Sequence, residues 1–447
     1  MKNILGWVKS NLVIVISLVV ILVSLPTGYV FANGWNKKIR TAREAEAKKA
    51  LTDVSSTTVT YALPAAMPGD RPLDLKAVPT AEMTEWFKEQ RARVEAEVSG
   101  VVSEATVFNR KGRKPLVEGI FPRASNRRDE EQRIFAFIGA LCGDAERNQP
   151  SAYQRLITRF GAGDRAEASK VAAALKDLND RLRAANGNRA LTVDETAALT
   201  KQLTDRRIGE LRRRAQEISF YATPGSFSVD TNQQKAGWSN VPVTKPGGVP
   251  TLDECFVYQW DYWVIEDVMA ALARANTDAT GDQMMVERAP VKRLVSVLIK
   301  DPPIYTMGSP DSSSRDSFGR NEPEPTYAFD GGVPLDLSVS VSGRKTDAER
   351  NKVYDVRFAE VTVIVTSDRL QEVLSAFSQT NFMTVIDLDL ADVDPWAELK
   401  DGYYYGSDHV VKATIGLESV WLRSWLGPLM TPTIANNLGV EEFNEND

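Results

Sequence analysis

Histidine and cysteine are almost missing from this chain. His409 stands alone among 447 residues, and the cysteines are Cys142 and Cys255. Structural zinc sites draw four ligands, mostly from cysteine and histidine, so three such residues scattered along the sequence exclude the usual sets. A histidine-based catalytic centre would have to use His409. Its neighbours Ser407 and Asp408 adjoin it in sequence, unlike the separately placed members of a triad. A basic excess is lacking too. There are 54 Lys+Arg against 60 Asp+Glu, a net charge of −6, which is the wrong sign for a general nucleic-acid binder. No GxxxxGK(S/T) loop and no GxSxG elbow occur, and Gly161-Ala162-Gly163 lacks the third glycine and the preceding strand of a dinucleotide fingerprint. No catalytic residue, cofactor or metal is therefore expected. The remaining composition, 43% hydrophobic and 26% charged, is that of a folded protein of two or three domains. An even cysteine count permits one disulfide, but two free buried thiols are the simpler expectation.

Charge is also absent locally. From Ser10 to Asn36 no residue is charged, and Leu12–Phe31 supplies the roughly 20 apolar residues that span a hydrocarbon core. Leu12, Ile16, Val20, Leu25 and Phe31 mark the predicted membrane span, with Trp7 and Trp35 at its borders. A cleaved signal peptide is the rival reading. Lys2 and Lys9 would form its basic region, Leu12–Leu25 its apolar core and Val30-Phe31-Ala32 its cleavage site. The length of the uncharged run favours a retained anchor, residues 1–36. Lys37, Lys38, Arg40 and Arg43 follow the span, so a strict count of positive charge places the C-terminal side in the cytoplasm. Long C-terminal domains translocate largely regardless of charge, and the segment reads as an export signal, which favours export.

Residues 37–220 read as helical and partly coiled-coil-like. Lys37–Leu51 continues the anchor helix, and the Ser/Thr cluster and four prolines between 55 and 79 end it. Thr80 opens the next helix, in which Met83, Phe87, Val94, Val98, Val101, Ala105 and Phe108 form an a/d-like seam. Short as it is, this seam suits one face of a bundle helix as well as a coiled-coil dimer. Ile134, Phe137, Ile138 and Leu141 form a further face. Asp164 caps a helix carrying Val171, Leu175, Leu178 and Leu182, with Gly187 as its C′ residue, and Thr192-Val193-Asp194-Glu195 has capping-box spacing. The arginines at 206–207 and 212–214 alternate with acids and read as a solvated face. Residues 221–250, rich in proline and glycine, read as a linker.

Residues 251–447 change to mixed α and β. Thr251–Asn276 is an apolar helix. Val291–Ile299, Val333–Val341, Val353–Thr366, Met383–Leu390 and His409–Leu417 read as strands, and Asp368–Thr380 as an amphipathic helix. Residues 301–332 read as a poorly ordered insertion. The order predicts an α+β, ferredoxin-like domain of two αββ repeats. Asp387, Asp389, Asp392 and Asp394 invite a calcium reading, but Ala391 stands where an EF-hand needs an oxygen ligand and Asp392 where it needs glycine. A strand with Asp387 and Asp389 to water and Leu388 and Leu390 to the core explains them better. Trp396 and Tyr403, Tyr404 and Tyr405 could form a stacking surface for glycans or proteins, although loop aromatics more commonly fold back onto their own domain. Trp421 and Trp425, in an amphipathic turn before Pro432, either pack on the sheet or present a docking face.

The order of anchor, seam (Met83–Phe108) and helix–strand units from Thr251 to Leu417 resembles the PilO/GspM family of inner-membrane, periplasm-facing assembly proteins of type IV pili and type II secretion. Val361–Phe377 (VTVIVTSDRLQEVLSAF) looks like that family's strand-then-helix unit, and Ser24–Val30 looks like the end of the anchor in larger pilus-associated relatives. The stretches 111–220 and 301–332 have no counterpart there. The resemblance implies a non-enzymatic scaffold in the bacterial inner membrane, with its C-terminal region in the periplasm, pairing as a homodimer or with a PilN-like membrane protein. A secreted or surface module that binds glycans or proteins is the alternative.

Overall fold

A computed structural model describes residues 11–440, apart from 57, 64–72, 124–125, 145, 188, 228–240, 301–343 and 345–350. The expected insertion 301–332, the expected strand Val333–Val341 and the middle of the 221–250 linker lie outside the described residues. The chain is a mixed α+β protein with an N-terminal apolar helix and a C-terminal sheet, divided into two compact units, Met1–Ser103 and Glu104–Asp447.

In the first unit, helix α1 (Leu12–Ser56) runs through both the apolar segment and the charged stretch after it, with Pro26 inside. Its polar side chains bond their own backbone: Ser17 Oγ donates to the Val13 carbonyl (2.8 Å) and Thr27 Oγ1 to that of Val23 (2.6 Å). Thr41 and Thr52, in its charged stretch, do the same, as helical hydroxyls commonly do. Strands β1 (Val59–Leu63) and β2 (Leu73–Ala77) pair antiparallel. Helix α2 (Ala81–Arg110) follows, and Thr80 Oγ1 accepts the Met83 amide at its start (3.2 Å).

The second unit begins within the last turns of α2. Helices α3 (Arg127–Cys142), α4 (Ala152–Arg159), α5 (Ala168–Ala185) and α6 (Val193–Ala215) precede α7 (Leu252–Ala275). The cap expected at Asp164 is instead Glu167, three residues later and without a side-chain hydrogen bond. The capping box expected at Thr192/Glu195 forms in full, and the structure adds another at Thr251/Glu254. After α7 come β3 (Val291–Ile299), β4 (Tyr354–Thr366), helix α8 (Leu370–Thr380), β5 (Met383–Asp392), short α9 (Pro395–Lys400), β6 (Val410–Leu422), and the short helices α10 (Arg423–Leu426) and α11 (Pro432–Asn437). Pro432 opens a helix, where its missing N–H costs nothing.

The four strands form one antiparallel sheet in the order β3-β4-β6-β5. Along β4, Val361, Val363 and Val365 face the core shared with α7 and α8, which contribute Trp260, Trp263, Val264, Val373 and Phe377. Ile134 and Phe137 of α3 and Leu156 of α4 join the same core, so these helices and the sheet, separate by sequence pattern, bury their apolar faces together. Each large apolar side chain removed from water here contributes about 1.5–3 kcal/mol. Ile364 points to the opposite face, with Val286, Tyr221, Tyr405 and Val410.

Candidate interaction surfaces

The expected seam on α2 is used differently along its length. Phe87 is buried: Tyr61 of β1 stacks on it (centroids 4.8 Å apart) and Trp86 meets it edge-on (4.9 Å). Met83 and Val94 are half-buried, whereas Val98 and Val101 are exposed. In the second unit, Phe108 tilts against Phe382 at 5.0 Å and stays partly open.

One residue beyond Phe108 lies a feature no periodicity signals. Asn109 is buried, and its amide donates to the Val420 carbonyl (2.8 Å) and to Asn381 Oδ1 (3.1 Å). Its Oδ1 accepts from the Leu422 amide (2.9 Å) and Trp425 Nε1 (2.7 Å). Asn381 in turn donates to Asp267 of α7 (2.7 Å), which also receives Arg113 and the Lys111 ammonium (3.1 Å). The Arg113 guanidinium lies over the Trp421 ring, 5.2 Å from its centroid. These partners are up to 316 residues apart, so no local pattern could have announced them.

The aromatic surface read from sequence divides in two. Trp421 and Trp425 are interior, 0% and 6% exposed, and cluster with Trp260 and Trp263 at centroid distances of 5.4–6.5 Å. They are corrected from candidate partner contacts to core, because β6 runs on to Leu422 and carries Trp421 onto the helix-covered face. Tyr403 and Tyr404 are half-buried and serve internal contacts. Arg293 sits 3.8 Å from the centroid of the Tyr403 ring and Tyr221 packs against its edge (5.1 Å), while Tyr405 is buried and donates to Glu398 (2.7 Å). Burial and the Glu398 carboxylate push the Tyr405 phenol well up. Trp396 remains, 76% exposed on the first turn of α9, where Asp394 Oδ1 accepts its amide (2.9 Å).

The acidic strand behaves as an edge. Val385 pairs with Leu417 but Asp387 with Gly416, so Ile386 is an extra residue that shifts the register. The shift puts Leu388 and Leu390 opposite Ile415 and Ala413 on the helix-covered face, and Asp387 and Asp389 on the other. Gly416 permits the close approach, since a Cβ there would lie 3.1 Å from the Asp387 Cβ. The side is the one expected, yet the helices do not reach these leucines, which stay 36% and 49% exposed. Among the described residues no group of three or more His, Cys, Asp or Glu side chains could hold a metal ion. His409 is exposed, 3.1 Å from Ser367 Oγ. Both cysteines are free thiols, pushed up by burial to about 11 for Cys142 and about 12 for Cys255.

Helix α1 is long and apolar enough to cross a membrane, and no part of its apolar stretch is covered by protein. Leu12, Ile16, Val20, Leu25 and Phe31 are all exposed. No protein-family model and no curated protein matches the chain. Among solved structures, the type 4 fimbrial biogenesis protein PilO from Pseudomonas aeruginosa aligns at 16% identity over 16% of this chain and 47% of its own, under half its length, with a TM-score of 0.13.

Proposed function

We propose that the chain is a single-pass, non-enzymatic membrane scaffold of a pilus- or secretion-type envelope assembly, with its C-terminal region in the periplasm. One observation carries the reading. A single chain joins an uncovered apolar helix of membrane-spanning length to two α-β-β units, α7-β3-β4 and α8-β5-β6, over one antiparallel sheet. That order is the plan of the PilO/GspM proteins, and on it we assign the C-terminal domain to the ferredoxin-like class. The exposed Val98 and Val101 on α2 suit a helical partner, either a second copy or a PilN-like membrane protein.

Fractionation and protease protection of the tagged full-length chain test this. The expected outcome is a full-length inner-membrane protein digested only from the periplasmic side. A soluble protein beginning near Asn33 would overturn the anchor, and digestion from the cytoplasmic side would overturn the orientation. For the partner surface, a Val101→Cys chain is expected to give disulfide-linked dimers in the membrane, or a mixed disulfide with a cysteine-bearing PilN-like chain. Neither product forming would remove α2 as the contact.

A further inference from the structure

The two edges of the sheet differ. The outer edge of β3 is closed by the chain itself: the Tyr221 amide donates to the Lys292 carbonyl (2.9 Å) and the Leu294 amide to that of Tyr221 (2.8 Å). On β5, β6 is the only ladder partner among the described residues, and the opposite edge carries the half-exposed Leu388 and Leu390. An open strand edge is a template for another strand, and its side chains decide which one.

Leu388 and Leu390 line one side of β5, with Asp392 at the end of that side, and Asp387 and Asp389 line the other; no basic residue occurs from Met383 to Asp392. Side chains directly opposite each other in a ladder share a face. A second copy of β5 in antiparallel array could set Leu against Leu in three ways. With Leu388 opposite Leu390, Asp389 faces its own copy. With Leu388 opposite itself, Asp387 faces Asp389. With Leu390 opposite itself, Asp392 faces Leu388. Each alignment sets like charges together or puts a carboxylate against the apolar stripe, so the edge is built against its own copy.

We propose that the outer edge of β5 receives an extended segment of a different protein, one that alternates apolar and cationic side chains. Its apolar residues lie beside Leu388 and Leu390 and its lysines or arginines beside Asp387 and Asp389. Trp396, exposed just past the end of the strand, offers an aromatic contact and a fluorescent reporter. The inference stands on the sheet alone and does not require the pilus reading.

The test uses the full chain in phosphatidylcholine nanodiscs, whose zwitterionic surface does not itself attract cationic peptide. The probe is a short synthetic peptide of alternating valine and lysine, with a valine–glutamate peptide as control. The expected result is saturable binding of the lysine peptide that slows amide hydrogen exchange across Met383–Asp392. An Asp387→Lys/Asp389→Lys chain, changed only on a half-exposed edge, weakens the lysine peptide about tenfold or more and gains the glutamate one. Four outcomes overturn the proposal: no binding up to millimolar peptide; binding that leaves β5 exchange unchanged; β5 amides already protected in the free chain at every concentration, the mark of an edge filled by the chain itself; or protection that grows with protein concentration, the mark of a second copy.

Discussion

Helices α1 and α7 are both apolar, and they meet opposite fates. No residue in the apolar stretch of α1 is buried, whereas sixteen of the 24 residues in α7 are. Their charges tell them apart. The apolar run of α1 has none between Ser10 and Asn36. Inside α7, Asp261 and Asp267 are wholly buried, and each meets a guanidinium from a distant part of the chain: Arg357 for Asp261, Arg113 for Asp267. A membrane span, as proposed for α1, cannot count on such partners and excludes charge. A helix destined for a protein core can carry charge, provided the fold returns the counter-charge to it.

The sharpest way to break that comparison is to take a counter-charge away from α7. Arg357→Met leaves the Asp261 carboxylate in the core without the Arg357 guanidinium and is expected to cost about 3–5 kcal/mol, read as a fall in the denaturant midpoint. The paired change Asp261→Leu/Arg357→Met removes both charges and is expected to recover most of the loss. If the double variant is as unstable as the single one, the charge pair is not what sets the stability of α7.

The mirror experiment puts a charge into α1. Val20→Lys, near the middle of the uncharged run, is expected to disfavour insertion by about 2.5–3.5 kcal/mol. Membrane fractionation should show the shift, while the unfolding transition of the second unit stays where it was. An unchanged membrane fraction would mean that α1 does not use lipid as its solvent.

A smaller effect is expected at Asn109, where the counter-charges of α7 meet the end of α2. Asn109→Ala leaves Trp425 Nε1 and the Leu422 amide without the acceptor they share, at an expected cost of about 1–3 kcal/mol. Thermal unfolding reads it, and a change smaller than that of a surface substitution would show the network to be dispensable.

Legibility in the sequence followed the range of the interaction. Helix α7 was readable at both ends, its apolar run lying between Thr251 and Asn276, which cap it. Strand β3 has the bounds its β-branched run suggests. The bulge at Ile386 was not readable, since it exists only against Gly416 on another strand. The sequence left Trp421 between packing and docking, a choice that depends on where β6 stops, and carried no sign of the Asn109 cluster. Trp396 and Tyr405 belong to one aromatic stretch of sequence, yet Trp396 is exposed and Tyr405 is covered by distant elements, a difference no local pattern carries.

The finest contrast lies in the caps. The same Thr-x-x-Glu box opens α6 and α7, but α6 lies at the surface, and there the cap can be weighed with little help from packing. Arg189 and the Thr192 amide hold the Glu195 carboxyl down at about 2, against an ordinary value of 4.5. A carboxyl lowered on folding contributes stability that is fully present above pH 4.5 and lost as pH falls toward 2. Because Glu195 is solvated, most of that shift is screened, so the pH effect is confined to local fraying of α6. Thr192→Ala removes the partner hydroxyl and is expected to cost about 1 kcal/mol. Faster amide exchange in the first turn of α6 should report it, with no change in α7. If acidification from pH 5 to 2 frays both helices equally, the loss is global, and the cap of α6 is not the group that titrates.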